Sequence, residues 1–322
     1  MAPVPACILI RQHATPFALG KRSERHHYVP RFYLELFGTP LYCFDKQGGR
    51  AFKATATDVA LEKGFYELDP GIDFEAQIAQ FESRFSDGLR DLVRSRNPTV
   101  LSRESKMKIA LFVALQFIRT RDYRELVKEA SGKFLTELMR RELGIQDSDF
   151  KVVMKEEAAR AFQAQSILEE VPYIAAFLGN LRWSTAINRT KIPYWTSDNP
   201  VALFNPVDYG DQGNLGFNVR GIQVHFPLTR DLLLAMLDPA SSSLPPITLL
   251  KRDVDVEFEN NLQVHNANRF VISSTPDFTY IRKVLEGHPE LTKPKERITL
   301  RSIDSYTSTI FHMTKKELWP RQ

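Results

Sequence analysis

The order of hydrophobic patterns along this chain predicts an α+β fold, with a small N-terminal β-hairpin, a central helical bundle and a β-rich C-terminal third packed as one domain. Three observations carry that expectation. Two short β-type runs flank Gln47-Gly48-Gly49 near the start. From Phe74 onward, apolar residues recur at three- and four-residue steps. From Leu181 onward, the runs become short, β-rich and punctuated by Pro, Gly and Asn. No linker separates the three regions, so they are expected to share one core.

Taken in order, residues 1–22 read as a disordered tail broken by Pro3, Pro5, Pro16 and Gly20. Pro30 opens a short helix over Arg31 to Phe37, which Gly38 ends. Leu41 to Asp45 and Arg50 to Thr57 form the hairpin. Thr57 or Asp58 is placed to cap a short helix over Val59 to Lys63, stopped by Gly64. Phe74, Ile78, Phe81, Phe85, Leu89 and Leu92 mark an amphipathic helix that Asn97-Pro98 terminates. Ser102 starts the next helix, running through Met107 to about Tyr123. It is apolar on nearly every face between Ile109 and Ile118, the mark of a buried central helix. More helix covers Arg124 to Leu143, broken by Gly144, and Ser148 to Leu178, stopped by Gly179-Asn180. Strand runs follow at Leu181 to Asn188, Tyr194 to Thr196, Val201 to Phe204, Ile222 to Leu228 and Leu232 to Leu237, with a long loop over 205–221. Val254 to Asn268 reads as helix, Arg269 to Ser273 as strand and Asp277 to Leu285 as a short helix. The domain is expected over 23–285, with 286–322 a C-terminal extension holding a weak strand around Tyr306 to Phe311.

Composition narrows the function classes. At 43% hydrophobic and 25% charged residues, the 322-residue chain is ordinary for a folded protein. A net charge of +4 permits nucleic acid or a small anionic ligand as partner but lacks the clustered excess of a dedicated nucleic-acid binder. Its two cysteines, Cys7 and Cys43, form no CxxC pair, which argues against a disulfide scaffold or structural zinc and for a reducing, cytoplasmic compartment. The longest apolar run, Ile109 to Leu115, is interrupted at Gln116 and Arg119, so no membrane span is expected. No Gly-x-Gly-x-x-Gly, Walker loop or Gly-x-Ser-x-Gly elbow is present, and nothing signals nicotinamide, flavin or haem. A divalent cation is compatible with the residues below.

Polar groups concentrate at three places. In Arg25-His26-His27-Tyr28-Val29-Pro30, adjacent side chains of extended backbone point to opposite faces. Either both histidines hydrogen-bond a buried turn, or one serves a phosphate or metal site. Gln116 and Arg119 share a helix face inside an apolar stretch. A buried arginine needs a carboxylate, carbonyls or a bound anion. Arg119 therefore forms a salt bridge, with Glu75, Glu82 or Asp198 as candidates, or an anion clamp opposite His27. In Thr196-Ser197-Asp198-Asn199-Pro200, Asp198 and Asn199 either bond the turn backbone, or Asp198 orients an imidazole or holds a cation.

These elements, in this order, resemble domain-of-unknown-function family 4238. The resemblance rests on His26-His27-Tyr28-Val29-Pro30, the strand Leu41 to Asp45, and Val59 to Tyr66 with its Phe-Tyr pair. It continues through Phe74-Glu75 and Phe81-Glu82, the Gln-x-x-Arg-Thr of Gln116, Arg119 and Thr120, the Trp195 to Val201 stretch, and Asn261, Ala267 and Arg269. It spans roughly residues 24–275 and implies that the three polar places belong to one site, without implying a reaction. The His-His-x-x-Pro stretch also resembles the first half of HNH-type nucleases. However, residues 58–96 contain no His and no Asn, so the usual second metal ligand is missing.

The expectation drawn from these residues is a hydrolase of a phosphodiester or nucleic-acid substrate. His27, His26 and Asp198 would be catalytic, and Tyr28, Gln116, Arg119 and Asn199 would hold the substrate. The alternative is a non-catalytic anion- or nucleotide-binding module, or a protein-interaction domain whose polar motifs are structural.

Overall fold

The computed structural model describes residues 25–68, 74–147, 149–207, 209 and 215–297. Its elements are β1 (Arg25–His27), α1 (Arg31–Glu35), β2 (Leu41–Asp45), β3 (Arg50–Ala54), β4 (Leu61–Lys63), α2 (Phe74–Ser95), α3 (Arg103–Ile118), α4 (Arg121–Leu143) and α5 (Glu156–Asn180). There follow β5 (Arg182–Asn188), β6 (Thr196–Ser197), β7 (Ala202–Phe204), β8 (Gln223–Thr229), β9 (Leu232–Leu237), β10 (Ile247–Leu250), α6 (Asp253–Asn266), β11 (Phe270–Ser273) and α7 (Thr279–Gly287). The fold is α+β, with the N-terminal hairpin, the helical middle and the β-rich last third in the expected order.

The most apolar helix lies at the centre. Ser102 caps α3 by accepting a hydrogen bond from the Ser105 amide at 3.0 Å. From Ile109 to Ile118 nearly every α3 side chain is buried, against α2 on one side and α5 on another. Gly88 lets α2 come close, since a Cβ there would stand 2.8 Å from the Ser105 carbonyl oxygen. Gly144, in the left-handed region, ends α4.

Two sheets flank this bundle. The larger has the order β10-β5-β9-β8-β7 and is antiparallel except where β10 joins β5 in parallel. Strand period puts Val224, Phe226, Leu228, Leu232, Leu234 and Met236 in the same core cluster as α2, α3 and α5. Leu233, Ala235 and Leu237 face the other way, against Tyr194 and Val256 of the α6 side. Burial on both faces explains why β8 and β9 read as nearly continuous apolar runs. The smaller sheet, β3-β2-β11-β6, is antiparallel and joins the N-terminal hairpin to a strand more than two hundred residues later. Phe44, Trp195, Val271, Phe278 and Ile281 pack beneath it. Tyr33 of α1 ties the sheets together, with its hydroxyl 2.8 Å from Thr196 Oγ1 and donating to the Pro227 carbonyl at 2.7 Å.

Four local expectations are corrected. Val59 to Lys63 is not helical. Ala60 takes a φ of 52°, and Leu61–Lys63 pairs with β1, setting His26 opposite Glu62 and His27 opposite Leu61. The central helix stops at Ile118 rather than near Tyr123, because Thr120 caps a new helix by accepting from the Tyr123 amide at 3.3 Å. Helix α5 begins at Glu156, not Ser148. Strand β10 is an addition whose alternating, half-exposed residues carry little sequence signal. The tail 1–22 and the weak strand Tyr306 to Phe311 lie outside the described residues. None of the described helices is long and apolar enough to cross a membrane.

Candidate functional site

The break between α3 and α4 is where the first two polar motifs meet. Arg119 sits at the C-cap of α3 and is 1% exposed. Its guanidinium donates to the Tyr66 hydroxyl at 2.9 Å, to the His27 carbonyl at 2.6 Å and to Glu82, its salt-bridge partner. Burial works against the charge, but Glu82 and Tyr66 outweigh it and hold Arg119 protonated. Gln116, one turn earlier, donates to the Tyr28 carbonyl at 3.1 Å, while its own Oε1 is buried without a partner. The histidine stretch is thus held to α3 through its backbone.

The two histidines point to different surroundings. His26 is buried, accepts from the Tyr66 amide at Nδ1 (3.0 Å), and sets Nε2 3.1 Å from Glu75. His27 is half-buried, and its Nδ1 has no hydrogen-bond partner. Burial lowers the His27 imidazole below its ordinary pKa. Tyr28 is buried, and burial together with the negative charge of Asp198 pushes its hydroxyl well up.

Asp198 and Asn199 belong to a second network. Asp198 is 1% exposed and its carboxylate accepts three backbone N–H groups, from Asn268 (2.8 Å), Arg269 (2.8 Å) and Phe270 (3.0 Å). Burial raises its pKa against the pull of those amides and of Lys46. The flanking loop contains Pro193 and Pro200, and its carbonyls need donors from elsewhere. Three amide side chains of α6, spaced by three, supply them. Asn260 donates to the Pro193 carbonyl at 2.9 Å, Gln263 to the Pro200 carbonyl at 3.0 Å and Asn266 to the Val201 carbonyl at 3.0 Å. Asn199 donates to Asp122 at 3.2 Å, just past the helix break. Lys46 lies under this network, donating to the Val264 and Ala267 carbonyls at 2.8 and 2.7 Å, and burial lowers its pKa to about 7.

One cavity joins the motifs. It measures about 400 Å³ and is lined by Thr120 of the Gln-x-x-Arg-Thr motif, Asn199 of the Asp198 loop and Asn266 of α6. Its walls are mostly apolar, including Phe117, Tyr123, Leu126, Ile174, Leu203 and Phe217. Asp122 closes one side and pairs with Arg297, whose NH2 lies 2.9 Å from Asp122 Oδ1. His26, His27, Tyr28, Gln116, Arg119 and Asp198 do not line this cavity. Asn199 is the one residue of the expected site that does. Among the described residues, no group of three His, Cys, Asp or Glu side chains is placed to hold a metal ion.

Several residues of this region were not anticipated. Gln163 of α5 clasps the helix break, donating to the Ile118 and Thr120 carbonyls at 2.7 and 2.9 Å. Arg124 braces Gln163, donating at 2.7 Å to its Oε1, and stacks 3.7 Å from the Phe65 ring centroid. The three-residue spacing of Asn260, Gln263 and Asn266 is a readable signal, a polar stripe on a helix face flanked by apolar positions. No comparable signal marks Gln163.

Lys46 makes this region pH-sensitive. Between pH 7 and about 10 the native Lys46 is neutral while an unfolded lysine keeps its proton, so stability rises with pH in that window. We expect urea unfolding of the wild type to gain on Lys46→Met across that window by up to about 1.4 kcal/mol per pH unit. Parallel pH profiles for the two proteins would refute this assignment.

A family model described as a protein of unknown function (DUF4238) matches residues 25–277, well over half of the chain. No curated protein and no solved structure matches. The match covers every element from β1 to β11, including the helix break and the Asp198 loop, and the chain belongs to the DUF4238 family.

Proposed function

We propose that this chain is a small-molecule-binding module, with the cavity at the α3–α4 break as its site. The observation that carries the reading is that Thr120 and Asn199, from two motifs about eighty residues apart, line the same apolar-walled cavity of about 400 Å³. That size lies within the range of small-ligand pockets, about 300–1,000 Å³, and the mix of apolar walls with a few placed polar groups is the usual one. The remaining motif side chains support the reading through the bonds they make. Arg119, Gln116, His26 and Asp198 bond groups of the protein itself, holding both rims in place. Leu126→Trp, on α4, fills the cavity from its wall. We expect small aromatic fragments detected by ligand-observed NMR on the wild type to bind at least tenfold more weakly to this variant, with its melting temperature unchanged. Fragments that bind both proteins equally would remove the reading.

A second reading, phosphodiester hydrolysis, is favoured by His27. Its ring is half-buried, and burial favours the neutral form, the one a general base needs. Under that reading His27→Ala lowers hydrolysis of bis-p-nitrophenyl phosphate or nucleic acid by about a hundredfold or more. Equal background rates in the two proteins would eliminate it.

A further inference from the structure

Among the described residues, the cavity holds one carboxylate that no ion pair engages. Glu170 of α5 lines it, half-buried. Its partners are hydroxyls: Ser166 Oγ donates to Oε1 at 2.8 Å, and the Tyr123 hydroxyl lies 3.4 and 3.3 Å from the two carboxylate oxygens. Among the described residues no lysine, arginine or histidine forms an ion pair with it. The two cations of the cavity both turn to Asp122 rather than to Glu170. Arg297 binds Asp122 through Nε and NH2, at 3.1 and 2.9 Å, and reaches Asn268 at 2.8 Å. Lys295 donates to the Asn266 carbonyl at 3.2 Å and stands 3.9 Å from the same Asp122. Glu296 is turned outward to Lys133.

The wall beside Glu170 is aromatic. Tyr123, which holds the carboxylate, packs edge-on to Phe117 at 6.1 Å between ring centroids, and Phe117 packs edge-on to Phe217 at 5.0 Å. Rings set at 68° and 81° to one another make a corner with π-faces turned in different directions. Such a corner next to a carboxylate without an ion-pair partner favours a cation, since ring faces attract positive charge most strongly where water is excluded. At the other side, Asn199 donates through Nδ2 to Asp122 and the Asn266 carbonyl. A carboxylate already fixed by Ser166, whose hydroxyl also lies 3.2 Å from that of Tyr123, needs little reordering to accept an ammonium group.

We propose that the ligand of this cavity is a small organic amine, whose ammonium group pairs with Glu170 and whose apolar body lies against Phe117, Tyr123 and Phe217. The proposal rests on the cavity being a binding site. Its test uses three probes of matched shape, 2-phenylethylamine, 2-phenylethanol and 3-phenylpropionate, titrated by NMR or calorimetry into the full-length chain and its Glu170→Gln variant. The expected result is that the amine binds the wild type at least tenfold more tightly than the alcohol, with the carboxylate weakest. Glu170→Gln removes that preference and leaves alcohol binding within twofold, which also reports that the variant is folded. If the alcohol binds but the amine binds no better, or if Glu170→Gln leaves the preference intact, the amine assignment is overturned and the binding site stands. If the carboxylate binds best, Lys295 and Arg297 set the charge preference and the assignment is likewise overturned. If no probe binds, the binding site itself falls, and the amine assignment with it.

Discussion

A guanidinium cannot shed its proton in a protein interior, so a buried arginine dictates what surrounds it. Arg119 stands at the end of the most buried helix of this fold and spends its three nitrogens on three different elements. One goes to the carbonyl of β1, one to the Tyr66 hydroxyl in the turn after β4, and one to Glu82 of α2. The C-terminal end of α3 also favours a cation, through the carbonyls that point past it. The position of the histidine stretch follows from this one side chain, together with the Gln116 bond to the Tyr28 carbonyl. The chain leaves helical geometry one residue later, where Thr120 caps α4 and borders the cavity.

The second rim is built by a different device. The Asp198 loop holds two prolines and takes its donors from the α6 amides, while the Asp198 carboxylate collects three consecutive amides at the entry to β11. The rims meet where Asn199 bonds Asp122. A frame of this kind carries many buried polar groups, and each is costly unless partnered. Here nearly all the partners come from the chain itself. The exceptions include the Gln116 Oε1 and His27 Nδ1 on the β1 side and the Trp195 Nε1 and His265 Nε2 on the α6 side, none of them from residues that line the cavity.

Most of the fold was legible because its signals are local. The spacing of Phe74, Ile78, Phe81 and Leu89, the caps at Ser102 and Gly144, and the turn at Gly48-Gly49 each speak for their own neighbourhood. Failures came where a distant partner decides. Leu61–Lys63 is a strand because β1 pairs with it, and Ile247–Leu250 because it lies along β5. The site divides the same way. His26, Gln116, Arg119, Asp198 and Asn199 stand out as polar residues in apolar surroundings. Which carboxylate receives Arg119 depends on α2 packing, and the partners of Asp198 are backbone amides, which no residue pattern encodes. The cavity walls were not readable at all. Phe117, Ile174 and Leu203 have the character of core residues, and only the packed structure separates a side chain that fills space from one that borders it.

Arg119 is an internal tie whose charge is spent on Glu82. A double-mutant cycle with Arg119→Met and Glu82→Gln, measured by equilibrium denaturation, reads that coupling directly. We expect each single change to destabilise and the pair to couple by about 2 kcal/mol or more, as for a buried ion pair whose loss strands the remaining charge. Additivity within about 0.5 kcal/mol would contradict the account and leave the Arg119 charge free for another partner.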